Sequence, residues 1–188
     1  MDVEEFHYDH RISLVGTVNH DMLGKFETDV SEYLEQPESE RKPVVLTVSS
    51  SGGNTRVALS LYEQLRLFAK VADVSGVVVG VCMSAAVVIL LALPKGRRLS
   101  SKHSLFLIHQ LQHSDLKVPS GSHGMRQLQF EEAAFDQDVT QFEYDWIVEV
   151  LGRATGQKKK RIKELCDPGT FCSAKEALEL GLISEIIA

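Results

Sequence analysis

Basic charge, cysteine and targeting signals are all in short supply in this chain, and each shortage removes a class of function. Lys and Arg number 20 against 26 Asp and Glu, a formal charge of −6. Binding through nucleic-acid phosphates normally shows a basic surplus, so no nucleic-acid partner is expected. Only three cysteines occur, Cys82, Cys166 and Cys172, too few and too odd in number to pair completely within one chain. A disulfide-stapled miniprotein is excluded, and reduced thiols in a cytoplasmic protein are expected. The opening residues, MDVEEFHYDH, are acidic and carry neither the basic nor the apolar stretch of a secretion signal. One long charge-free run exists, Val77 to Leu93, at 17 residues the lower edge of what spans a bilayer. Its first part is β-branched around Gly80 and its part from Ala85 favours helix, with Ser84 at the junction. A buried strand turning into a buried helix explains that composition, and no membrane partner is expected.

What is present is ordinary for a globular protein: 188 residues, 44% hydrophobic and 24% charged, a length that implies one domain over residues 1–188. RISLVG is a short strand closed by a glycine, and Met22, Leu23, Phe26, Val30 and Leu34 then recur at helical spacing before Pro37. Val44 to Val48 reads as a buried strand, followed by the turn SSSGGN and a helix marked by Val57, Ala58, Leu61, Leu65 and Phe68. A strand at Val74 to Val81, a helix at Ala85 to Leu93 and a strand at Leu105 to Ile108 follow. Gln110 to Gly124 is a loop by composition. Met125 to Ala154 holds apolar residues three or four apart, one long helix or two broken ones, with Phe135, Phe142 and Trp146 on an apolar face. A short helix around Ile162, another over Ala174 to Leu180 and a strand at Ile183 to Ile187 close the chain. Alternating strands and helices predict an α/β fold with a largely parallel sheet, its strands apolar because both faces are covered.

Three features lie at strand-to-helix junctions, where open α/β sheets place their ligands. Gly52 and Gly53 in SSSGGN let the backbone approach a ligand and aim free N–H groups at it, or they make a plain turn. Ser84 is one small polar residue in an apolar run at a helix start, a place for a nucleophile or for an N-cap. The elbow pattern G-x-S-x-G is unmatched, with Cys82 and Ala86 at its glycine positions. His109 ends the apolar strand LFLI, where a general base is both held and reachable; a buried hydrogen-bonded histidine would read the same. Pairing His109 with His113 as metal ligands lacks the glutamate of H-E-x-x-H and a helix to carry it. His103 and His123 sit in polar stretches and are expected to be exposed.

In order, the glycine pair, Ser84 and His109 resemble the proteolytic subunit family of the Clp protease, ClpP, within the ClpP/crotonase fold. RISLVGTVN resembles that family's first strand and turn, VVLTVSSSGGN its glycine-rich segment, GVCMSAAVVILLA its nucleophile segment and LFLIHQ its histidine segment. FCSAKEALELGLISEI resembles its closing helix and strand, and the 25-residue step from Ser84 to His109 also fits. The resemblance implies repeated β-β-α units with a helical handle over about residues 110–155. It implies a serine endopeptidase without cofactor or metal. Ser84 would attack, His109 would relay the proton, and the N–H groups of Gly53 and Ala85 would stabilise the oxyanion, with Gly52 along the substrate. It also implies a homo-oligomer of stacked rings, a peptide or unfolded-protein substrate and a Clp-type ATPase unfoldase as partner.

Several positions depart from the family pattern. Gly169 stands where the family carries its triad aspartate, two residues before Phe171, and the nearest carboxylate is Asp167. Asp167 is the candidate third catalytic residue in its place, although Pro168 biases it towards an extended backbone rather than fixing its side chain on His109. Ser51 replaces the family's usual proline, the segment from His109 to Gly156 is long, and ten residues before Arg11 imply short axial loops. Two other functions compete: a ring subunit with little or no activity, favoured by Gly169, and a crotonase-type acyl-CoA enzyme, which needs no serine–histidine pair.

Overall fold

The computed structural model describes residues 10–109 and 123–187, with side chains from residue 138 onward in the latter stretch. Strand β1 (His10–Val18) leads to helix α1 (His20–Glu35), which starts where the Asn19 side chain accepts from Met22 N–H at 3.0 Å. Helix α1 buries Met22, Phe26 and Tyr33 and ends ahead of Pro37. Strand β2 (Val44–Gly53) runs into helix α2 (Thr55–Phe68), capped in the same way by Asn54 on Val57 N–H. Each cap satisfies an N–H that the first helical turn cannot. Strand β3 (Val74–Met83) then meets helix α3 (Ala85–Leu90), all six residues of which are buried.

After α3 come β4 (Arg98–Ser101), β5 (Leu105–Ile108), the 33-residue helix α4 (His123–Thr155) and α5 (Lys159–Cys166). Strand β6 (Thr170–Ser173), helix α6 (Ala174–Leu180) and strand β7 (Glu185–Ile187) complete the described elements. Strands β1, β2, β3, β4 and β7 lie side by side in that order and pair in parallel. Helices α2 and α3 pack on one face, where Leu46, Val48, Leu61, Leu65, Val78 and Leu90 belong to one large apolar core. The α/β reading and the parallel sheet hold.

Strand β3 divides its partners. Its residues Gly76 to Val78 pair with β4, whereas Val81 to Met83 pair with β5. Gly80 sits at the fork with φ +93°, and its N–H donates to the Ser104 hydroxyl at 3.2 Å. Ser104 in turn donates to Val78 O at 3.1 Å, so one buried hydroxyl ties the two branches together. Strand β6 then pairs antiparallel with β5, Ile108 opposite Thr170 and Leu107 opposite Phe171.

Some sequence expectations need adjusting. Strands β4 and β6 were not anticipated; each is four residues long, and their sequences, RLSS and TFCS, lack a hydrophobic run. Helix α3 stops at Leu90 rather than Leu93, and the last strand starts at Glu185 rather than Ile183. The charge-free run is strand β3 and helix α3, and among the described residues no helix is long and apolar enough to cross a membrane. Helix α4 is one helix, and His123 and Gly124, expected in the preceding loop, already belong to it. Its apolar face is partly used at home: Trp146 packs edge-on against Tyr62 at 5.5 Å, while Phe142 is exposed. The expected loop from Gln110 up to Ser122, with His113, and the side chain of Phe135 lie outside the described residues.

Candidate active site

Strand β3 ends by delivering Ser84 into a strained conformation. With φ 56° and ψ −127°, Ser84 has the one positive φ of any non-glycine among the described residues. Such a backbone costs on the order of 1–3 kcal/mol and persists only where its surroundings impose it. Here they do. Ser84 N–H donates to Leu107 O at 2.8 Å, and Ser84 O accepts from Val87 N–H at 3.0 Å. The Ser84 side chain makes no capping hydrogen bond, so the N-cap reading of this serine is excluded. Its hydroxyl is half-buried at the mouth of α3, next to Ala85, whose N–H opens the helix and has no intrahelical acceptor.

The glycine pair is pressed against this turn. Gly52 has φ +91°, and a Cβ there would lie 2.7 Å from both Met83 O and Ser84 Cβ. A side chain at residue 52 would therefore displace the serine. Gly52 N–H donates to the buried Ser50 hydroxyl at 3.1 Å. At Gly53 a Cβ would run into the Val18 backbone. Asn54 N–H donates to Val18 O, at 2.9 Å. Gly53, paired with Val18, therefore turns its own N–H to the opposite edge of β2 by the alternation of a parallel ladder.

His109 follows the last residue of β5 and is half-buried. The register Met83 opposite Leu107 brings the ends of β3 and β5 together, so Ser84 and His109 line one small pocket. Ala85 and Thr55 share its rim, and Ile147 and Leu151 of α4 supply apolar wall. No hydrogen bond joins Ser84 to His109 among the described residues; in empty sites such bonds are often long and tighten on binding.

The third member is where the site differs from a full triad. Strand pairing of Ile108 with Thr170 sets Gly169 against His109, and a Cβ on Gly169 would meet His109 Cβ at 3.6 Å. That position carries only hydrogen. Asp167 is exposed, and its Oδ1 accepts from Tyr144 OH at 2.9 Å, with no hydrogen bond to His109. The expected extended conformation of Asp167 is corrected: φ −59° and ψ −46° are helical, because its N–H still donates to Lys163 O at 2.8 Å. Burial, reinforced by the hydrogen bond to Asp167, pushes the Tyr144 phenol above the usual tyrosine range. Burial alone does the same to the Cys82 thiol, two residues before the serine, which keeps it protonated and unreactive.

His103 is exposed as expected, and the side chain of His123 lies outside the described residues, as does His113 and with it the metal alternative. Among the described residues no group of three metal-ligating side chains gathers. Sequence reasoning overlooked Ser50 and Tyr144. The two-residue spacing of Ser50 and Gly52 could have pointed to the first; only the packing of α4 on α5 reveals the second.

Comparison with known proteins agrees with this geometry. The family model described as Clp protease matches residues 2–188. The chain is 32% identical over 160 residues to the ATP-dependent Clp protease proteolytic subunit 2 of Prochlorococcus marinus (strain MIT 9313), covering 83% of this chain and 72% of that protein. It is 30% identical over 182 residues to proteolytic subunit 3 of Synechococcus sp. (strain CC9605), covering 95% and 82%.

Proposed function

Since the chain belongs to the Clp protease family, we propose that it is a serine endopeptidase working through Ser84 and His109, with no carboxylate behind the histidine among the described residues. The observation that carries this reading is the strained turn at Ser84, which holds an uncapped hydroxyl at a helix start beside His109. Backbone strain of this kind clusters at active sites, where the surrounding structure holds it in place.

In this mechanism His109 takes the Ser84 proton as Oγ attacks the scissile carbonyl, and the carbonyl oxygen becomes an oxyanion. The N–H groups of Gly53 and Ala85 receive it; Gly52 cannot, because its N–H is held by Ser50. Imidazolium then protonates the leaving amine, giving an acyl-enzyme on Ser84. Water, deprotonated by His109, hydrolyses the ester and restores the serine. Gly52 lies along the path of an extended substrate strand. With no carboxylate facing His109 among the described residues, the imidazolium is less steadied and turnover is slow compared with a full triad.

Assembly into stacked rings and service to a Clp-type ATPase belong to the same proposal. Val15, Val79, Phe142 and Phe171 are exposed, apolar surface that a ring neighbour would cover. Three buried free thiols suit a reducing cytoplasm. The test is labelling with a fluorophosphonate and mass mapping of the adduct. Modification of Ser84 supports the peptidase; no adduct at all leaves the low-activity ring subunit, which Gly169 favours, as the better reading.

A further inference from the structure

We infer that Ser50 is a positioning residue of this site, fixing the glycine strand so that Gly53 N–H rather than Gly52 N–H faces the oxyanion. The inference rests on the peptidase reading above and adds a residue to it. Ser50 is 2% exposed although it stands at the edge of an open site. Between β2 and β3 the register jumps there, from Val48 opposite Val78 to Ser50 opposite Cys82. Two steps along β2 thus match four along β3, and the ladder on the β3 side stops there, leaving Gly52 and Gly53 paired only with Thr17 and Val18 of β1.

The Ser50 hydroxyl replaces that lost constraint. It accepts from Gly52 N–H at 3.1 Å, a turn closed by a side chain within the strand. Gly52 has no side chain to hold it and sits at φ +91°, while Ser51 before it is exposed and has no proline ring to fix its own φ. Gly52 also presses on Met83 O and Ser84 Cβ, so a rotation of its peptide would be felt at the nucleophile. A shift of the following peptide would turn Gly53 N–H away from the point where charge develops. The hydroxyl touches neither substrate nor the reacting atoms, and its effect passes through the two glycines.

An interaction that matters only as charge develops lowers kcat when removed and leaves KM nearly unchanged. The experiment measures cleavage of a short N-blocked peptide ending in leucyl-aminomethylcoumarin, per site titrated with fluorophosphonate, in the full-length chain. Leucine suits the apolar wall of Ile147 and Leu151. Ser50→Ala should lower kcat per titrated site at least tenfold, keep KM within twofold and leave the midpoint of the pH profile in place. Amide hydrogen exchange in the segment containing Gly52 should quicken. Ser50→Thr, which keeps the acceptor, should stay within threefold of the parent. A purely structural role would instead reduce the number of titratable sites and the thermal midpoint at constant turnover per site, and would overturn the inference. So would equal losses in the alanine and threonine variants. Should the alanine variant fail to fold, Ser50→Cys takes its place; its weaker acceptor should give an intermediate kcat, and parental turnover per site would overturn the role. Absence of any Ser84 adduct in the parent chain would instead bring down the peptidase reading and this role with it.

Discussion

The two sides of the site are built to different standards. On the serine side, β2, β3 and α3, with one carbonyl lent by β5, over-determine a strained turn: Leu107 O, the first turn of α3 and the side-chain-free Gly52 all converge on Ser84. On the histidine side, β5 and β6 bring His109 to the cavity, yet the facing position, Gly169, is empty of any functional group. One half of the proposed machinery is held by several independent contacts, whereas the other shows no third member among the described residues. In the proposed mechanism, the difference sets a firmly held Ser84 beside a His109 that faces no carboxylate among the described residues. Electrostatic stabilisation and nucleophile placement are separable from base activation, and mutation can probe them separately.

The largest effects should come from the serine half. Ser84→Ala should abolish fluorophosphonate labelling and peptide cleavage, with far-UV and thermal profiles close to the parent because no capping bond is lost. Residual cleavage equal to the parent would remove the nucleophile assignment. His109→Ala should lower turnover by roughly 10²–10⁴, the usual range for a general acid–base.

Gly52→Ala tests the rigidity of that half. A Cβ 2.7 Å from Met83 O and from Ser84 Cβ must displace the nucleophile, and a positive φ adds strain. Labelling should fall at least tenfold and stability by roughly 1–3 kcal/mol. Parental labelling kinetics would mean that the glycine strand does not buttress Ser84.

Gly169→Asp sharpens the comparison from the other side, by supplying the missing group. The 3.6 Å approach to His109 Cβ is ordinary contact, so a side chain fits. Its φ of +74° strains an aspartate by about 1–2 kcal/mol. A carboxylate beside the imidazole orients the ring and steadies the imidazolium formed during attack, so fluorophosphonate labelling should quicken. At the plateau kcat should rise about tenfold or more, since the corresponding loss in a full triad is about 10⁴. Gly169→Asn, with the same shape and no charge, should give neither change.

Sequence revealed the halves unequally, for physical reasons. Burial of β2 and β3 writes long β-branched runs, and the composition change at Ser84 marks their end, so the serine half was legible. Strand β6, which sets Gly169 against His109, is four residues long and was invisible. Asp167 was misjudged because the bias imposed by Pro168 is weaker than the helical hydrogen bond to Lys163 that extends α5 by one residue. The side-chain pairing of Asp167 with Tyr144 spans 23 residues and no local pattern encodes it. Nothing local in the apolar stripe on α4 says what covers it; Trp146 meets Tyr62 of α2.

The smallest effect should come from Asp167→Asn. Its carboxylate is exposed and engaged by Tyr144 OH, so it does not orient His109, and turnover should change less than twofold. What should change is the tyrosine. Burial first, and the hydrogen bond to Asp167 second, hold the Tyr144 phenol protonated beyond its ordinary range. The native state thus keeps a proton that the unfolded chain gives up near pH 10, roughly the unperturbed tyrosine value. Stability linked to it is fully present below that pH and is lost as pH climbs above it. Without the aspartate charge the native phenol ionises earlier, so the variant and parent thermal midpoints should converge as pH rises from about 10. Parallel curves would show that burial alone holds the proton. A drop in peptide turnover approaching the roughly 10⁴-fold cost of losing a triad carboxylate would show that Asp167 leaves Tyr144 for His109 during the reaction, and the histidine half would then be complete after all.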